Sequence, residues 1–401
     1  MKSKQFLLIL LVLYIGAAIG TYSVRAMFDS KSVAPGATGQ STPNEESETL
    51  LGQLLTIDPA EAKDQPCPLN GMLYTKTEAN AWAKRRPLAV MIENSPDARP
   101  QSGLSKADVV FEAVAEGGVT RFMALLYCGV QVADTSLAPV RSARTYFVDW
   151  ASGFNRPLYT HVGGANTPGP ANALGQIADY GWALENDLNQ FSIGYPTFVR
   201  NSARLDHDVA TEHTMETSTE KLWDVAEKRE WTNMSPEMKI GRTVIPAEDW
   251  KDGYTGWSFA SEPVSVGTTT TIAYDFWSGY NQFSVKWELD PTTKMYKRIM
   301  AGEPHIDLNT NKQISASVVI VMLTAEKGPI DEVKHMLYKT TGSGKAIIYQ
   351  NGQALTATWT KKTRESELQF TDTKGKNVEF QPGLIWISVV DDSTDVITSG
   401  M

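Results

Sequence analysis

Two glutamates four residues apart, Glu112 and Glu116 in the stretch FEAVAEGG, are followed five residues later by Arg121. On a helix or a strand this spacing puts both carboxylates on one side of the element, so they can converge. Paired carboxylates of unequal pKa are the apparatus of glycoside cleavage, which makes Glu112 and Glu116 the candidate catalytic residues. The same residues suit a plainer role, in which one glutamate pairs with Arg121 and fixes the turn at Gly117-Gly118. Arg141 and Arg144 flank Ser142-Ala143 at the start of a helix-like stretch. A helix start with free N–H groups and two guanidinium forks suits phosphate or carboxylate, with pairing to Glu112 or Asp149 as the structural alternative.

Five histidines are present. His161 precedes Gly163-Gly164, where a backbone can approach a ligand closely. His305 and Asp307, in GEPHIDLNT, fall in a turn between strands and are candidates for a pocket shared across a domain interface. Arg121, Arg141, Arg144, His161, His305 and Asp307 thus form the candidate ligand-binding set. Asp206, His207, Asp208 and His213 carry metal-ligating atoms, but neither their spacing nor their order is that of a metal motif, and no metal is expected. Gly342-Ser343-Gly344-Lys345 lacks the upstream Gly and downstream Ser/Thr of a phosphate loop, and no cofactor is expected.

The chain that must position these groups has 401 residues, 42% hydrophobic and 21% charged, a globular composition with room for two domains. A formal charge of -9 argues against nucleic acid, which needs a clustered basic face. Lys2 and Lys4 precede an uncharged run over residues 5–24, enough to cross a hydrocarbon core of about 30 Å. With no acid before Asp29, this arrangement keeps the N-terminus cytoplasmic and places the rest outside as a single-pass protein. A cleaved signal peptide ending at Val24-Arg25-Ala26 is the competing reading, but the run exceeds the usual apolar core of about 7–15 residues. Residues 1–28 are therefore read as a transmembrane signal anchor and 29–66, rich in Ser, Thr, Pro, Gly and Glu, as a flexible stalk. Cys67 and Cys128 both lie on the oxidising side and are expected to form a disulfide.

Apolar runs at 87–92, 107–114 and 122–127, bounded by turn residues, are predicted strands. Residues 146–154, 171–180 and 217–231 are predicted helices, the last opened by a capping box from Thr217 to Glu220. Residues 67–235 thus form a mixed α/β domain. After Gly253 the texture changes: Phe283, Val285, Trp287 and Leu289 alternate with Gln282, Ser284, Lys286 and Glu288, the period of a half-exposed strand. Short runs at 317–323, 337–340, 346–349, 356–359, 368–370 and 385–390 continue it, with Asn351-Gly352 and Lys374-Gly375 as hairpin turns. Residues 255–393 are read as a second, mostly antiparallel β domain, and the fold class as α+β.

The block RRPLAVMIENSPDARPQSGLSKADVVFEAVAEGGVTRFMALLYCG, with APVRSARTYFVDWA, YTHVGG, MYKRIMAGEPHIDLNTNKQI and GKNVEFQPGLIWISVV, resembles the YerB-like family of bacterial exported lipoproteins. The resemblance covers most of residues 67–391. It implies a two-domain α+β protein outside the cytoplasmic membrane, layered β-β-α, with no established reaction. This chain lacks the lipid-modified Cys of that family, so its anchoring rests on the apolar run. The residues and the resemblance lead to two expectations. One is a membrane-anchored envelope protein that binds an anionic or glycan cell-wall ligand, or a protein partner, at a crevice lined by Glu, Arg and His. The alternative is an envelope glycan hydrolase or lyase acting through Glu112 and Glu116.

Overall fold

The computed structural model describes residues 54–400; the expected anchor at 1–28 and the stalk through residue 53 lie outside the described residues. Among the described residues no helix is long and apolar enough to cross a membrane. Residues 54–66, expected as stalk, are instead built onto the domain. Leu54 N donates to Val132 O, and Lys63–Pro66 pairs antiparallel with Leu73–Thr75. The ladder holds residues 63–66, and Thr77 N donates to Glu61 Oε1 at 2.8 Å.

The strands that position the site are β1 (Leu88–Glu93), β2 (Val109–Glu116), β3 (Val119–Leu126), β4 (Leu158–His161) and β5 (Asp187–Asn189) from the first half of the chain. The second half supplies β6 (Thr269–Tyr274), β7 (Val285–Leu289), β8 (Tyr296–Met300), β9 (Val318–Thr324), β10 (Gly342–Gln350), β11 (Gln353–Lys361), β12 (Gln369–Asp372), β13 (Ile385–Asp391) and β14 (Ile397–Gly400). The helices are α1 (Lys76–Trp82), α2 (Thr145–Ser152), α3 (Ala173–Asp179) and α4 (Thr219–Lys228). One 10-stranded sheet runs β12-β11-β10-β9-β13-β2-β3-β1-β4-β5. The two halves meet in its middle, where β13 lies parallel to β2 with Ile385 opposite Val109 and Ser388 opposite Glu112. β1 and β9 are buried at every position. That is the pattern of strands covered on both faces, and explains why their sequences are continuously apolar.

A second, antiparallel sheet is built on β8-β7-β6-β14. Successive side chains on β2 point to opposite faces, so Phe111 and Glu112 show what covers each side. Phe111 stacks on Trp150 of α2 at 5.7 Å between ring centroids. Glu112 faces the second sheet, as do its neighbours on β13: Trp386 meets Trp287 at 5.4 Å, and Ser388 Oγ lies 2.6 Å from Tyr274 Oη. The architecture is the expected α+β, in helix, sheet, sheet layers.

The expected hairpin at Asn351-Gly352 forms, with both residues at positive φ, which suits the twist of a two-residue turn between β10 and β11. Cys67 and Cys128 form the expected disulfide, with Cα atoms 6.0 Å apart. The capping of α4 differs from expectation. Its N-cap, Ser218, makes no side-chain cap bond to the helix; Asp134 from a distant loop accepts from Ser218 Oγ, Thr219 Oγ1 and Glu220 N instead. A capping box does occur at α1, unpredicted, where Thr75 and Glu78 satisfy each other's backbone N–H.

Candidate functional site

The β2–β3 hairpin carries the candidate glutamates, and a break in its register between Val114 and Glu116 separates their fates. Glu112 is completely buried. Its carboxylate accepts from Arg298 Nη2 at 2.8 and 3.0 Å, from Trp386 Nε1 at 3.2 Å and from Thr120 Oγ1 at 3.1 Å. Burial pushes its carboxyl up, with Arg298 pulling against it. Arg298 is itself sandwiched near the rings of Trp386 and Trp287. A substrate has no route to Glu112, so the expected catalytic role for it is corrected to that of a sealed interlayer ion pair.

The buried chain continues through the other residues expected in an interdomain pocket. Arg298 Nε donates to His305 Nδ1 at 3.0 Å, and since guanidinium cannot accept, Nε2 carries the His305 proton toward Gln101 Oε1, 2.8 Å away. Burial, reinforced by Arg298, holds the His305 pKa well below the ordinary range. Asp307 is fully buried and accepts from the backbone N–H groups of Gly103, Ser105 and Asn309. Both residues do lie between the two halves, as expected, but they close that interface and line no opening there.

Glu116 lies at the end of β2, where its side chain is 28% exposed. Its two oxygens are divided between Arg121 Nη2, at 2.7 Å, and Arg144 Nη2. Burial alone would raise its carboxyl, but Arg121 and Arg144 more than reverse this and hold it at about 2. A carboxylate so deeply ionised cannot serve as a general acid near neutral pH. With both its oxygens engaged by Arg121 and Arg144 and Glu112 sealed in the interior, the two carboxylates do not form the expected catalytic pair, and the pairing of Glu116 with Arg121 at the Gly117-Gly118 turn is the structural alternative the spacing had offered.

What remains is an excess of guanidinium. Arg121 Nη1 donates to Ser142 O and Arg144 Nη1 to Ala143 O, while the Nε of each is buried without a partner. Arg141 is 24% exposed and touches Glu93 Oε1 through Nε at 3.1 Å. Its side chain donates no hydrogen bond among the described residues, Nε included, and its charge also acts on Glu116 and Glu212. The other Glu93 oxygen lies 2.9 Å from His213 Nδ1. The segment 141–144 is held in place by Arg141 N to Met91 O, Val162 N to Arg141 O and Ala143 N to Gly163 O. Arg144 then becomes the N-cap of α2 and makes no side-chain cap bond, so the start of that helix is not closed by its own sequence. Three arginines converge on two carboxylates beside a helix start that its own N-cap side chain leaves unbonded, an arrangement whose chemistry suits an anion.

His161 is fully buried at the end of β4, with Nδ1 2.6 Å from Gly163 O and Nε2 2.6 Å from Asp187 Oδ1. Both nitrogens are spent on acceptors, so His161 supports the site and does not face a ligand, contrary to expectation. Gly163 has φ +57, and a Cβ there would fall 2.8 Å from the Phe191 ring, so this glycine serves close packing. His207 is half-exposed and bonded to Asp206, whereas His213 turns to Glu93, so those residues do not converge. Sequence reasoning missed Glu93 and Arg298, and grouped His213 with Asp206, His207 and Asp208 instead of with Glu93. Arg298 had left a signal: Tyr296, Arg298 and Met300 share the buried face of β8, and an arginine on such a face requires a buried acid.

Comparison with known proteins agrees with this architecture. The family described as "Protein of unknown function (DUF3048) N-terminal domain" matches residues 71–232, and its C-terminal domain matches residues 272–387. "Putative lipoprotein YerB" of Bacillus subtilis (strain 168) is 29% identical over 335 residues, covering 83% of this chain and 88% of that protein. The crystal structure of YerB from Bacillus subtilis superposes with a TM-score of 0.64 at 25% identity, covering 83% of this chain and all of that one.

Proposed function

The chain belongs to the DUF3048 family, whose two domains it carries in order, and from that premise we propose that it is an exported, membrane-tethered envelope protein that binds an anionic group. The group is a phosphate or carboxylate, carried by a cell-wall polymer and held at Arg141 and the start of α2. Export is supported by the relative described as a lipoprotein. Tethering through residues 5–24, in place of a lipid, is supported by their length and by the flanking Lys2 and Lys4. The single observation that carries the binding reading is the Arg141 guanidinium, partly exposed, ion-paired with Glu93 and donating no side-chain hydrogen bond among the described residues. A fork with two free donor groups matches the two oxygens of a phosphate or carboxylate.

The test is calorimetric titration of the full-length protein in detergent with inorganic phosphate and with polyglycerol phosphate. Binding of the polymer that weakens at least about tenfold in Arg141→Gln is expected, because a charge-assisted bidentate contact contributes about that much. Equal affinity in the wild type and Arg141→Gln would refute the site. N-terminal sequencing of membrane-extracted protein tests the tether, with Met1 expected and a start at Met27 overturning it.

A further inference from the structure

On the opposite flank of the β2–β3 hairpin lies a cavity of about 1060 Å³ that the arginine cluster does not share. Its walls come from β6, β7 and the segments after β9 and β13, and they include Trp277 and Tyr280, whose rings meet edge to face at 5.3 Å. Tyr280 is 41% exposed and packs against the hairpin tip. A Cβ on Gly118, which has φ +85, would fall 2.3 Å from its ring. The aromatic wall is thus built on the same turn that positions Glu116.

The charge of this cavity is the reverse of the arginine cluster. Asp275, Glu288, Glu326, Asp391 and Asp395 line it, and its one lysine, Lys286, is already paired with Glu288 at 2.6 Å. Glu326 is set into the aromatic wall, accepting from Trp277 Nε1 and from Tyr338 Oη, each at 2.5 Å. Tyr338 Oη in turn accepts from Val114 N of β2 at 3.2 Å, which fixes the carboxylate to the central sheet. The Asp391 carboxylate lies against the backbone of residue 326, with Oδ2 3.4 Å from Glu326 N, and burial together with this neighbour raises the Glu326 carboxyl.

A cavity that combines partly exposed aromatic rings with an excess of carboxylates over cations favours one ligand chemistry above others. Ammonium groups gain from the ring quadrupoles and from the carboxylates at once, and they relieve the repulsion between Glu326 and Asp391. We propose that this cavity binds a ligand bearing primary ammonium groups, stacked on Trp277 and Tyr280 and anchored by Glu326, Asp391 and Asp395. Two sources share this chemistry, a linear polyamine and an oligomer of amino sugars, and their shapes separate them.

The full-length protein in detergent is titrated calorimetrically with spermidine, with glucosamine trimer and with the N-acetylated trimer. At least one of the two amines is expected to bind, the tighter one naming the source, and the N-acetylated trimer to bind at least about tenfold more weakly than that amine. The exposed Asp395→Asn and the partly buried Asp391→Asn are expected to weaken amine binding about three- to tenfold each, and Tyr280→Ala about threefold, in proteins whose circular dichroism is unchanged. The proposal is overturned if neither amine binds, if the N-acetylated trimer binds as tightly as the amine, or if Asp395→Asn and Tyr280→Ala both bind with wild-type affinity. The two point variants lie at the cavity surface, so the test survives even where Asp391→Asn fails to fold.

Discussion

Arg298 Nη2 lies 2.8 Å from Glu112 Oε2 across 186 residues of sequence, and neither side chain reaches solvent. The pair bolts β8 of the second sheet to β2 of the central one, at the level where β13 joins the two halves of the chain.

Removing one partner strands the other in the interior. Arg298→Met should therefore destabilise the protein by roughly 3–5 kcal/mol, while adding Glu112→Gln to it should restore part of that loss. Guanidinium chloride unfolding of the two variants measures both. A double variant less stable than Arg298→Met would show that the pair does not account for the loss.

Glu116 makes a separate contribution with its own pH window. Its carboxyl is held at about 2 against 4.5 when unfolded, so its stabilisation is complete above pH 4.5 and is lost as pH falls toward 2. Thermal melts between pH 2 and 5 should show a shallower loss of stability in Glu116→Gln than in the wild type. Parallel curves would show that other carboxylates govern acid unfolding.

Asp108 has the opposite sign. It is fully buried beside the disulfide. Burial pushes it up to about 7 from 3.8, against the backbone N–H groups of Tyr127, Cys128 and Gly129. Folding thus favours its protonated form, a stabilisation complete below pH 3.8 and lost as pH rises through 7. Asp108→Asn should flatten the decline in stability between pH 4 and 7, which denaturant titrations at fixed pH would reveal; an unchanged slope would assign the proton elsewhere.

The Cys67–Cys128 bond closes a loop with a sequence separation of 61. The chain-entropy model gives about 4 kcal/mol for a loop of that size, so a Cys67→Ala, Cys128→Ala variant should unfold at clearly lower denaturant. A midpoint within error of the wild type would mean that the hairpin at Lys63–Pro66 and Leu73–Thr75 already holds this corner.

Much of the scaffold was legible because it obeys local rules. β1, β2, β3, β9 and β13 are apolar runs at strand length, and Asn351-Gly352 marks its hairpin by residue types that tolerate the positive φ both adopt. The candidate site was legible as residue types but not as pairings. Glu112 and Glu116 look equivalent in FEAVAEGG, and both indeed lie on β2. Arg298, brought from the second domain, seals one, while Arg121 and Arg144 share the other at the rim. α4 shows the same limit: Thr217 and Glu220 spell a capping box, yet the N-cap is Ser218 and Asp134 from another loop accepts from Glu220 N. The aromatic cavity escaped detection because Trp277, Glu326 and Asp391 come from three separated segments and share no spacing.

The placement of β13 bears on how the protein acquires its structure. This strand, Ile385–Asp391, is the last long one in the chain, yet it occupies the centre of the ten-stranded sheet between β9 and β2. Until it emerges, β2 and β9 each expose an apolar edge with unsatisfied backbone groups, the kind of edge that recruits other chains. A ribosome-bound or half-translocated chain therefore holds two incomplete half-sheets that only the final segment can zip together. High contact order makes that closure slow. A truncation before residue 385 should aggregate as an intact pair of sticky half-sheets and should not persist as a smaller folded protein.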